Sequence, residues 1–286
     1  MAGAVVLAVG LSACGKTTPA AITPGVSTTV ANSVPPSLPA TASSAPANDV
    51  PVTKLDIGAL PLAGGAIQVT SRSCWSTGNC LAGGTYSPQN HDYTFGWLAE
   101  EIGGKWHKAF SVPGLDSLDV GGDDGVSWVD CPGAGACSAG GAYDDDPNAI
   151  LVTSHLNVWV ADEVDGHWDR SIAVPGLSAF NSGDLASLDV GTCPAVGDCE
   201  IAGSYMDANA TFQRYTESEI GGVWQSAREL GSLQEFGDLD PTFTSLTCSA
   251  VDSCQATGTY SNGGTPAGSF KAIDNGGVWR ITGEAG

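Results

Sequence analysis

Short stretches in which apolar and polar residues alternate recur along most of this chain, from about residue 66 to residue 281. Two examples are Thr94–Ile102 (TFGWLAEEI) and Leu156–Val164 (LNVWVADEV). A period of two places every second side chain on the same face of a β-strand, which predicts strands with one buried face. Because no stretch has the period of an amphipathic helix, the pattern predicts an all-β protein.

The alternating stretches belong to a unit that occurs four times. Two cysteines six residues apart are followed by Gly four residues, and Tyr six residues, after the second cysteine. An aromatic residue comes next, and a tryptophan stands nine residues beyond it. The cysteine pairs are Cys74/Cys80, Cys131/Cys137, Cys193/Cys199 and Cys248/Cys254, the tyrosines Tyr86, Tyr143, Tyr205 and Tyr260, the aromatics Trp97, Trp159, Tyr215 and Phe270, and the tryptophans Trp106, Trp168, Trp224 and Trp279.

Each unit has room for four strands, and the fourth begins at the tryptophan, after a Gly-Gly or Asp-Gly that suits a hairpin turn. Four-stranded units repeated in this way predict a β-propeller, because radial repetition shelters the edges of the sheets. The predicted blades cover about 66–110, 120–172, 185–230 and 243–281. A β-sandwich is the main alternative.

The cysteine pairs predict four local disulfides, each across the turn between the first two strands of its unit. Zinc is the rival interpretation. The residues between the cysteines include no histidine, and the spacing is unlike that of a zinc ribbon or finger.

The turn before each tryptophan resembles the Asp-box of bacterial neuraminidase repeats. An acidic residue lies five positions before the tryptophan in every copy, although the serine of the motif is absent and three of the acids are glutamates. The acidic residues are Glu101, Glu163, Glu219 and Asp274. The resemblance implies a propeller fold. In that family the Asp-box is structural and lies away from the ligand site, so it implies no activity.

The N-terminal segment Val5–Ala20 (VVLAVGLSACGKTTPA) fits two patterns. Gly10–Thr17 matches a phosphate-binding loop, but Pro19 and Pro24 exclude the helix that such a loop opens. Leu11–Cys14 resembles a bacterial lipobox, where a signal peptide is cut and the cysteine acylated. We therefore predict a signal peptide over 1–13, a Pro/Ser/Thr/Ala-rich linker over 14–54 that is anchored by acylated Cys14, and a propeller over 55–286.

The charge of the chain limits the classes of molecule that it is expected to bind. Ten Lys and Arg against 31 Asp and Glu give a formal charge of −21, which disfavours binding of nucleic acid. The expected partners are the membrane, through the lipid anchor, and an extracellular protein or glycan. The predicted location is the extracytoplasmic face of a bacterial cell membrane, and the predicted state is a monomer.

No catalytic constellation is visible. A sialidase-type site needs an arginine cluster, but the five arginines share no repeat position, and a tyrosine in every unit indicates packing rather than a nucleophile. The arginines are Arg72, Arg170, Arg214, Arg228 and Arg280. We predict no catalytic residue, no metal ligand and no cofactor, with calcium at the acidic clusters left open.

The second unit carries an insertion at Asp144–Asn148. Since the matching parts of the units are explained by packing and turns, we predict that the differing connections form a binding surface on one rim: Asp116–Gly125, Asp144–Asn148, Asn181–Asp184 and Gly231–Thr242. The candidate binding residues are Asp123, Asp124, Asp144, Asp145 and Asp146. The leading hypothesis is a non-catalytic binding or scaffold module. The alternatives are a glycan-acting, sialidase-like hydrolase and a structural envelope protein.

Overall fold

The computed structural model describes residues 43–44, 55, 60, 66–89, 93–147, 155–230, 240–262 and 265–284. Four antiparallel sheets follow one another along this part of the chain, with two short 3₁₀ turns at Leu115–Ser117 and Leu177–Ala179. No helix among these residues is long and apolar enough to cross a membrane. The prediction of an all-β protein is confirmed.

Each sheet is one repeat, and we call it a blade. The first blade contains β1 (Ser43–Ser44), β2 (Ala66–Ser76), β3 (Asn79–Ser87), β4 (Phe95–Ile102), β5 (Lys105–Trp106) and β6 (Phe110–Ser111). The second contains β7 (Trp128–Gly133), β8 (Ala136–Asp144), β9 (Leu156–Val164), β10 (His167–Trp168) and β11 (Ile172–Ala173). The fourth strand of these two blades is broken into two short pieces.

The last two blades have four strands each. The third contains β12 (Ala186–Ala195), β13 (Asp198–Met206), β14 (Phe212–Glu219) and β15 (Arg228–Glu229). The fourth contains β16 (Asp240–Ala250), β17 (Ser253–Asn262), β18 (Thr265–Asp274) and β19 (Trp279–Glu284). Within every blade the strands pair in chain order.

The blades are arranged as in a propeller, because their first strands lie together. These inner strands contact one another in the order β2, β7, β12 and β16. Buried Asp130 links three of them: its Oδ1 accepts hydrogen bonds from Ser73 Oγ (2.8 Å) and the Cys131 amide (2.9 Å), and its Oδ2 accepts one from the Cys193 amide (2.8 Å). The predicted β-propeller of four four-stranded repeats is confirmed.

The four disulfides are those predicted, and each joins the first two strands of its blade beside their turn: Cys74–Cys80, Cys131–Cys137, Cys193–Cys199 and Cys248–Cys254. A second turn, between the third and fourth strands, lies against each disulfide turn. The Gly104 amide donates to the Gly78 carbonyl (2.8 Å) in the first blade, and equivalent bonds recur in the second and third. In the fourth blade the Gly276 amide, one residue earlier in the turn, donates to the Asp252 carbonyl (2.7 Å). The two turns therefore hold one end of every blade together.

The turn before each tryptophan needs backbone angles that suit glycine. Its first residue has a φ of 59° at Gly103 and 52° at Asp165, and the glycine that follows also has positive φ in every copy. These angles are those of the tight hairpin turn that the sequence predicts. Asp165 is the one departure from glycine, and Asp tolerates this conformation better than most residues do.

The glycine four residues after the second cysteine meets the inner strand of its own blade. A methyl group on Gly84, Gly141, Gly203 or Gly258 would overlap the carbonyl oxygen of Gln68, Gly125, Ser187 or Thr242. The same oxygen accepts a hydrogen bond from the repeat aromatic in three blades, from Nε1 of Trp97 (3.2 Å) or Trp159 (3.2 Å), or from the Tyr215 hydroxyl (3.1 Å). Glycine and the aromatic residue therefore recur together because the glycine leaves room for this carbonyl and, in three blades, the aromatic donates a hydrogen bond to it.

We expect Gly141→Ala to lower the free energy of unfolding by about 2–4 kcal/mol, because the new methyl must displace the Gly125 carbonyl from its hydrogen bond with Trp159. Gly133→Ala is the matched control, since its nearest neighbour would be Val196 Cγ2 at 3.7 Å, an ordinary contact. Urea unfolding of both variants measures the effect. Equal stability of the two would contradict this explanation of the repeat glycine.

Neighbouring blades pack face to face. We call the face of a blade that points to the next blade its front face. Leu81 and Leu98 of the first blade pack with Val126 and Val129 of the second. The front-face residues at equivalent positions are Leu81, Gly83 and Leu98 in the first blade, Ser138, Gly140 and Val160 in the second, Glu200, Ala202 and Thr216 in the third, and Gln255, Thr257 and Lys271 in the fourth.

The two outermost faces of the row of blades, on the first blade and on the fourth, differ in exposure. On the first blade, Leu55 and Leu60, each 7% exposed, pack with Trp97 on the face opposite to its front face. On the fourth blade, Gln255 and Lys271 of the front face are exposed. The packing therefore runs from the first blade to the fourth, and in the described part of the chain no further blade covers the front face of the fourth.

Candidate functional site

The variable connections lie where the sequence predicts, on one rim of the blades. The second strand of each blade ends at this rim and the third begins there, and the connections between blades also pass along it. We call this end the tyrosine rim, because the repeat tyrosines stand near it. The segments 116–125, 144–147 and 181–184 all belong to it, whereas 231–239 and Asn148 lie outside the described residues.

Asp119 organises the connection between the first and second blades. Its Oδ1 accepts hydrogen bonds from the amides of Gly122 (3.0 Å), Asp123 (3.1 Å) and Asp144 (3.2 Å). In return, the Asp144 carbonyl accepts from the amides of Val120 and Gly121, both at 3.0 Å. The predicted segments 116–125 and 144–148 are thus joined by their backbones.

Asp144 is a buried structural residue. Its side chain is 1% exposed, and Oδ1 accepts hydrogen bonds from the amides of Asp146 (2.9 Å) and His155 (3.4 Å). Asp144, a predicted candidate binding residue, therefore lies inside the fold and not in an exposed loop. An aspartate at the start of a loop commonly folds back on the amide two residues ahead, and here this local bond takes the carboxylate out of solvent.

Asp145 and Asp146 are more accessible and connect the insertion to its surroundings. Asp145 Oδ2 accepts a hydrogen bond from Asn157 Nδ2 (2.8 Å). Asp146 Oδ2 lies 3.6 Å from Nε2 of His155, whose Nδ1 lies 3.8 Å from Asp184 Oδ2. The structure thus brings two predicted segments, 144–148 and 181–184, together around His155.

Asp123 and Asp124 face different surroundings. Asp123 Oδ1 accepts hydrogen bonds from the amide (2.9 Å) and hydroxyl (3.1 Å) of Thr94. Asp124 is 7% exposed, and its Oδ1 accepts a hydrogen bond from the Gly96 amide. Asp123 therefore ties the connection to the residue before β4, and Asp124 ties it to β4 itself.

Asp124 also forms a carboxyl–carboxyl hydrogen bond with Asp119. Burial, together with the negative charges of Asp119 and Asp123, raises the pKa of Asp124 to about 8. Asp124 is therefore the protonated member of this pair at neutral pH, and its proton is directed to Asp119. The sequence does not predict this pair, since both residues resemble ordinary solvated acids of a surface loop.

A cleft of about 390 Å³ opens on the tyrosine rim next to Asp124. The rings of Tyr86 and Phe95, with centroids 5.5 Å apart, form one part of its wall. The exposed residues Ser111 and Asp116 and the buried Asp124 supply its polar groups. The cleft thus combines an aromatic surface with a hydroxyl and two carboxyl groups, and we call it the rim cleft.

The rim cleft owes its shape to a turn that the sequence repeats. Val112–Asp116 (VPGLD) precedes the second blade and 174–178 (VPGLS) precedes the third. In both, glycine has positive φ, 79° at Gly114 and 77° at Gly176, and a buried leucine opens a 3₁₀ turn. This repeat was the sequence signal that could have located the cleft. Asp116, where the next copy has Ser178, is specific to the first copy.

Three further sequence predictions concern the repeat tyrosines, metal ligands and Cys14. The four repeat tyrosines are buried, which fits packing. Among the described residues, no group of three or more His, Cys, Asp and Glu side chains is arranged to hold a metal ion. Cys14 lies outside the described residues, so its acylation stays a prediction.

Comparison with known proteins gives similarity in structure alone. No protein-family model matches the chain, and no curated protein does. Among solved structures, "Hadza microbial sialidase Hz136" is 12% identical with a TM-score of 0.46, over 76% of this chain and 45% of that one. The Penicillium chrysogenum alpha-L-arabinanase complexed with arabinobiose is 12% identical with a TM-score of 0.42, over 85% of this chain and 70% of that one. The chain spans less than half the length of the sialidase.

Proposed function

We propose that this protein is a non-catalytic, extracytoplasmic module, anchored by acylated Cys14, that binds a glycan in the rim cleft. The observation that carries the proposal is the meeting of an aromatic pair, Tyr86 and Phe95, with the polar groups of Ser111 and Asp116 in one concave site. A sugar has both apolar ring faces and hydroxyls, and such a site matches both.

The protonation and hydrogen bonding of Asp124 favour glycan binding over glycan hydrolysis. A glycosidase needs one carboxylic acid that gives its proton to the leaving oxygen and a second carboxylate across the bond. Asp124 holds a proton at neutral pH, but it donates that proton in a hydrogen bond to Asp119. Its remaining hydrogen bond, from the Gly96 amide, holds the cleft wall in place.

Hydrolysis is the second candidate function, and one observation favours it. Asp116 and Asp124 line the same cleft, and a neutral acid beside a second carboxyl is the pairing that glycoside hydrolysis uses. For this function the Asp124 proton would have to turn from Asp119 to the substrate.

An array of immobilised glycans, probed with the purified protein, tests the proposal. We expect retention on at least one glycan and release of no reducing ends. Asp116→Ala should weaken retention about tenfold through the loss of a charged hydrogen-bond acceptor, whereas the matched control Ser178→Ala should bind as the wild type does.

Asp124→Asn separates the two candidate functions. An amide can donate to Asp119 and accept from Gly96 as the protonated acid does, so the fold and glycan retention should survive. If reducing ends are released by the wild type and lost in this variant, the protein is a hydrolase and the non-catalytic proposal is wrong.

A further inference from the structure

The front face of the fourth blade differs in character from the other three. Leu98, Val160 and Thr216 occupy one position of the front face in the first three blades, where the next blade covers them. The fourth blade has Lys271 there, and this residue is exposed. An exposed cation in place of a covered side chain indicates a surface that meets solvent or a polar partner.

A second position excludes a further blade of the same kind on this face. A methyl group on Gly83 would lie 2.5 Å from Val126 Cγ1, and one on Gly140 would lie 2.8 Å from Leu188 Cδ1. Close stacking of blades therefore needs a small residue at this position, and the third blade has Ala202. The fourth blade has Thr257, whose branched side chain is too large for that approach.

The exposed face contains a shallow groove of about 160 Å³ with a consistent chemistry. Hydroxyls, an amide and one cation, Lys271, surround it, and no carboxylate is among its lining residues. Its polar lining is Ser245, Thr247, Gln255, Thr257, Lys271 and Thr282. Arg280 pairs with Ile273 in the strand register and therefore lies on the same face. No described residue forms an ion pair with Lys271 or Arg280.

We propose that this face binds an acidic polysaccharide, a chain of sugars that bear carboxylates. The face offers hydrogen-bond donors and two cations, and no carboxylate lines its groove, so local charge complementarity selects an anionic partner. Sugar hydroxyls exchange hydrogen bonds with the Ser, Thr and Gln side chains, and sugar carboxylates contact Lys271 and Arg280. This site is separate from the rim cleft and does not depend on the function proposed for it.

Two other occupants fit less well. A second copy that used the same face would bring Lys271 and Arg280 against their own equivalents, and like charges oppose such a contact. A nucleic acid carries a much denser charge than two cations neutralise. Single strands also bind by stacking on aromatic side chains, and none lines this groove.

Retention of the full chain on immobilised polygalacturonate, a polyuronate, tests the proposal. We expect binding that falls as salt rises, and an affinity about tenfold lower in the variant Lys271→Glu/Arg280→Glu. The control Lys105→Glu/Lys108→Glu makes the same change in net charge at two exposed cations of the first blade, and it should bind much as the wild type does. Asp116→Ala should also leave this binding unchanged.

Three results would overturn the proposal. An equal loss of binding in Lys271→Glu/Arg280→Glu and in Lys105→Glu/Lys108→Glu would show a general effect of net charge. Equal retention on the neutral methyl ester of polygalacturonate would show that the carboxylates are not recognised. Sedimentation of a dimer that only Lys271→Glu/Arg280→Glu dissociates, or binding of single-stranded DNA with the same sensitivity, would assign the face to another partner.

Discussion

Acidification from about pH 7.5 to about pH 5.5 should raise the melting temperature of this protein by about 5 °C or more. Most globular proteins become less stable over such a change when their carboxylates are paired or hydrogen-bonded. The opposite is expected here because several carboxyl groups are buried as neutral acids. Those with the largest shifts are Asp124 and Glu200, with pKa values of about 8, Glu217 at about 9 and Glu219 at about 7.

Burial is the main cause in all four cases, and the direction follows from proton binding. In the unfolded chain these groups ionise near their ordinary pKa values of about 4. Between that value and 7–9 the folded protein holds protons that the unfolded chain has released, so its stability falls as the pH rises. Each group contributes up to about 1.4 kcal/mol per pH unit. Release of the mutual repulsion in a chain of charge −21 acts in the same direction.

Calorimetry in buffers of constant ionic strength measures this effect. The melting temperature should increase steadily on going down to about pH 5 and level off near the ordinary carboxyl pKa values. A melting temperature that falls over the same range would show that these carboxyls are ionised in the folded protein.

Glu217→Met should stabilise the protein at neutral pH by about 2–3 kcal/mol. Glu217 is 1% exposed and stands where the other blades have Ala99, Ala161 and Ala272. No described residue donates a hydrogen bond to either of its carboxyl oxygens. Burial, with the charge of Glu200 nearby, raises its pKa to about 9. Methionine has a similar length and removes the cost of keeping this acid neutral in the fold.

The pH dependence distinguishes this cause from better packing. Glu217→Met should gain most above about pH 7 and little near pH 4, because the wild-type group is neutral in both states at low pH. Asp169→Asn, at an exposed carboxyl, is the control and should change stability little at any pH. A gain in Glu217→Met that is the same at all pH values would contradict burial of a neutral acid.

The features that the sequence predicted are those that the repeat requires in every blade. Cys74 and Cys80 stand opposite each other in the register of β2 and β3, and their spacing alone determines that turn. Gly84 and Trp97 recur because they meet one inner-strand carbonyl. Such local requirements leave a mark in each copy, so four copies together reveal them.

The features that were missed depend on contacts between distant or singular residues. Asp144 reads as part of a solvated acidic run, and its burial arises from amides folded back over it. Docking of Leu55 and Leu60 against the first blade lies outside the repeat. The polar front face of the fourth blade could have been predicted from the sequence. When the repeats are aligned, Lys271 stands at the position of the apolar residues Leu98 and Val160.

A crystal structure of the protein with an oligosaccharide taken from the glycan array tests the central claim most directly. The proposal predicts an intact sugar in the rim cleft, with a ring against Phe95 and a hydroxyl within hydrogen-bond distance of Asp116. A sugar bound elsewhere on the blades, or a cleaved product beside Asp124, would contradict it.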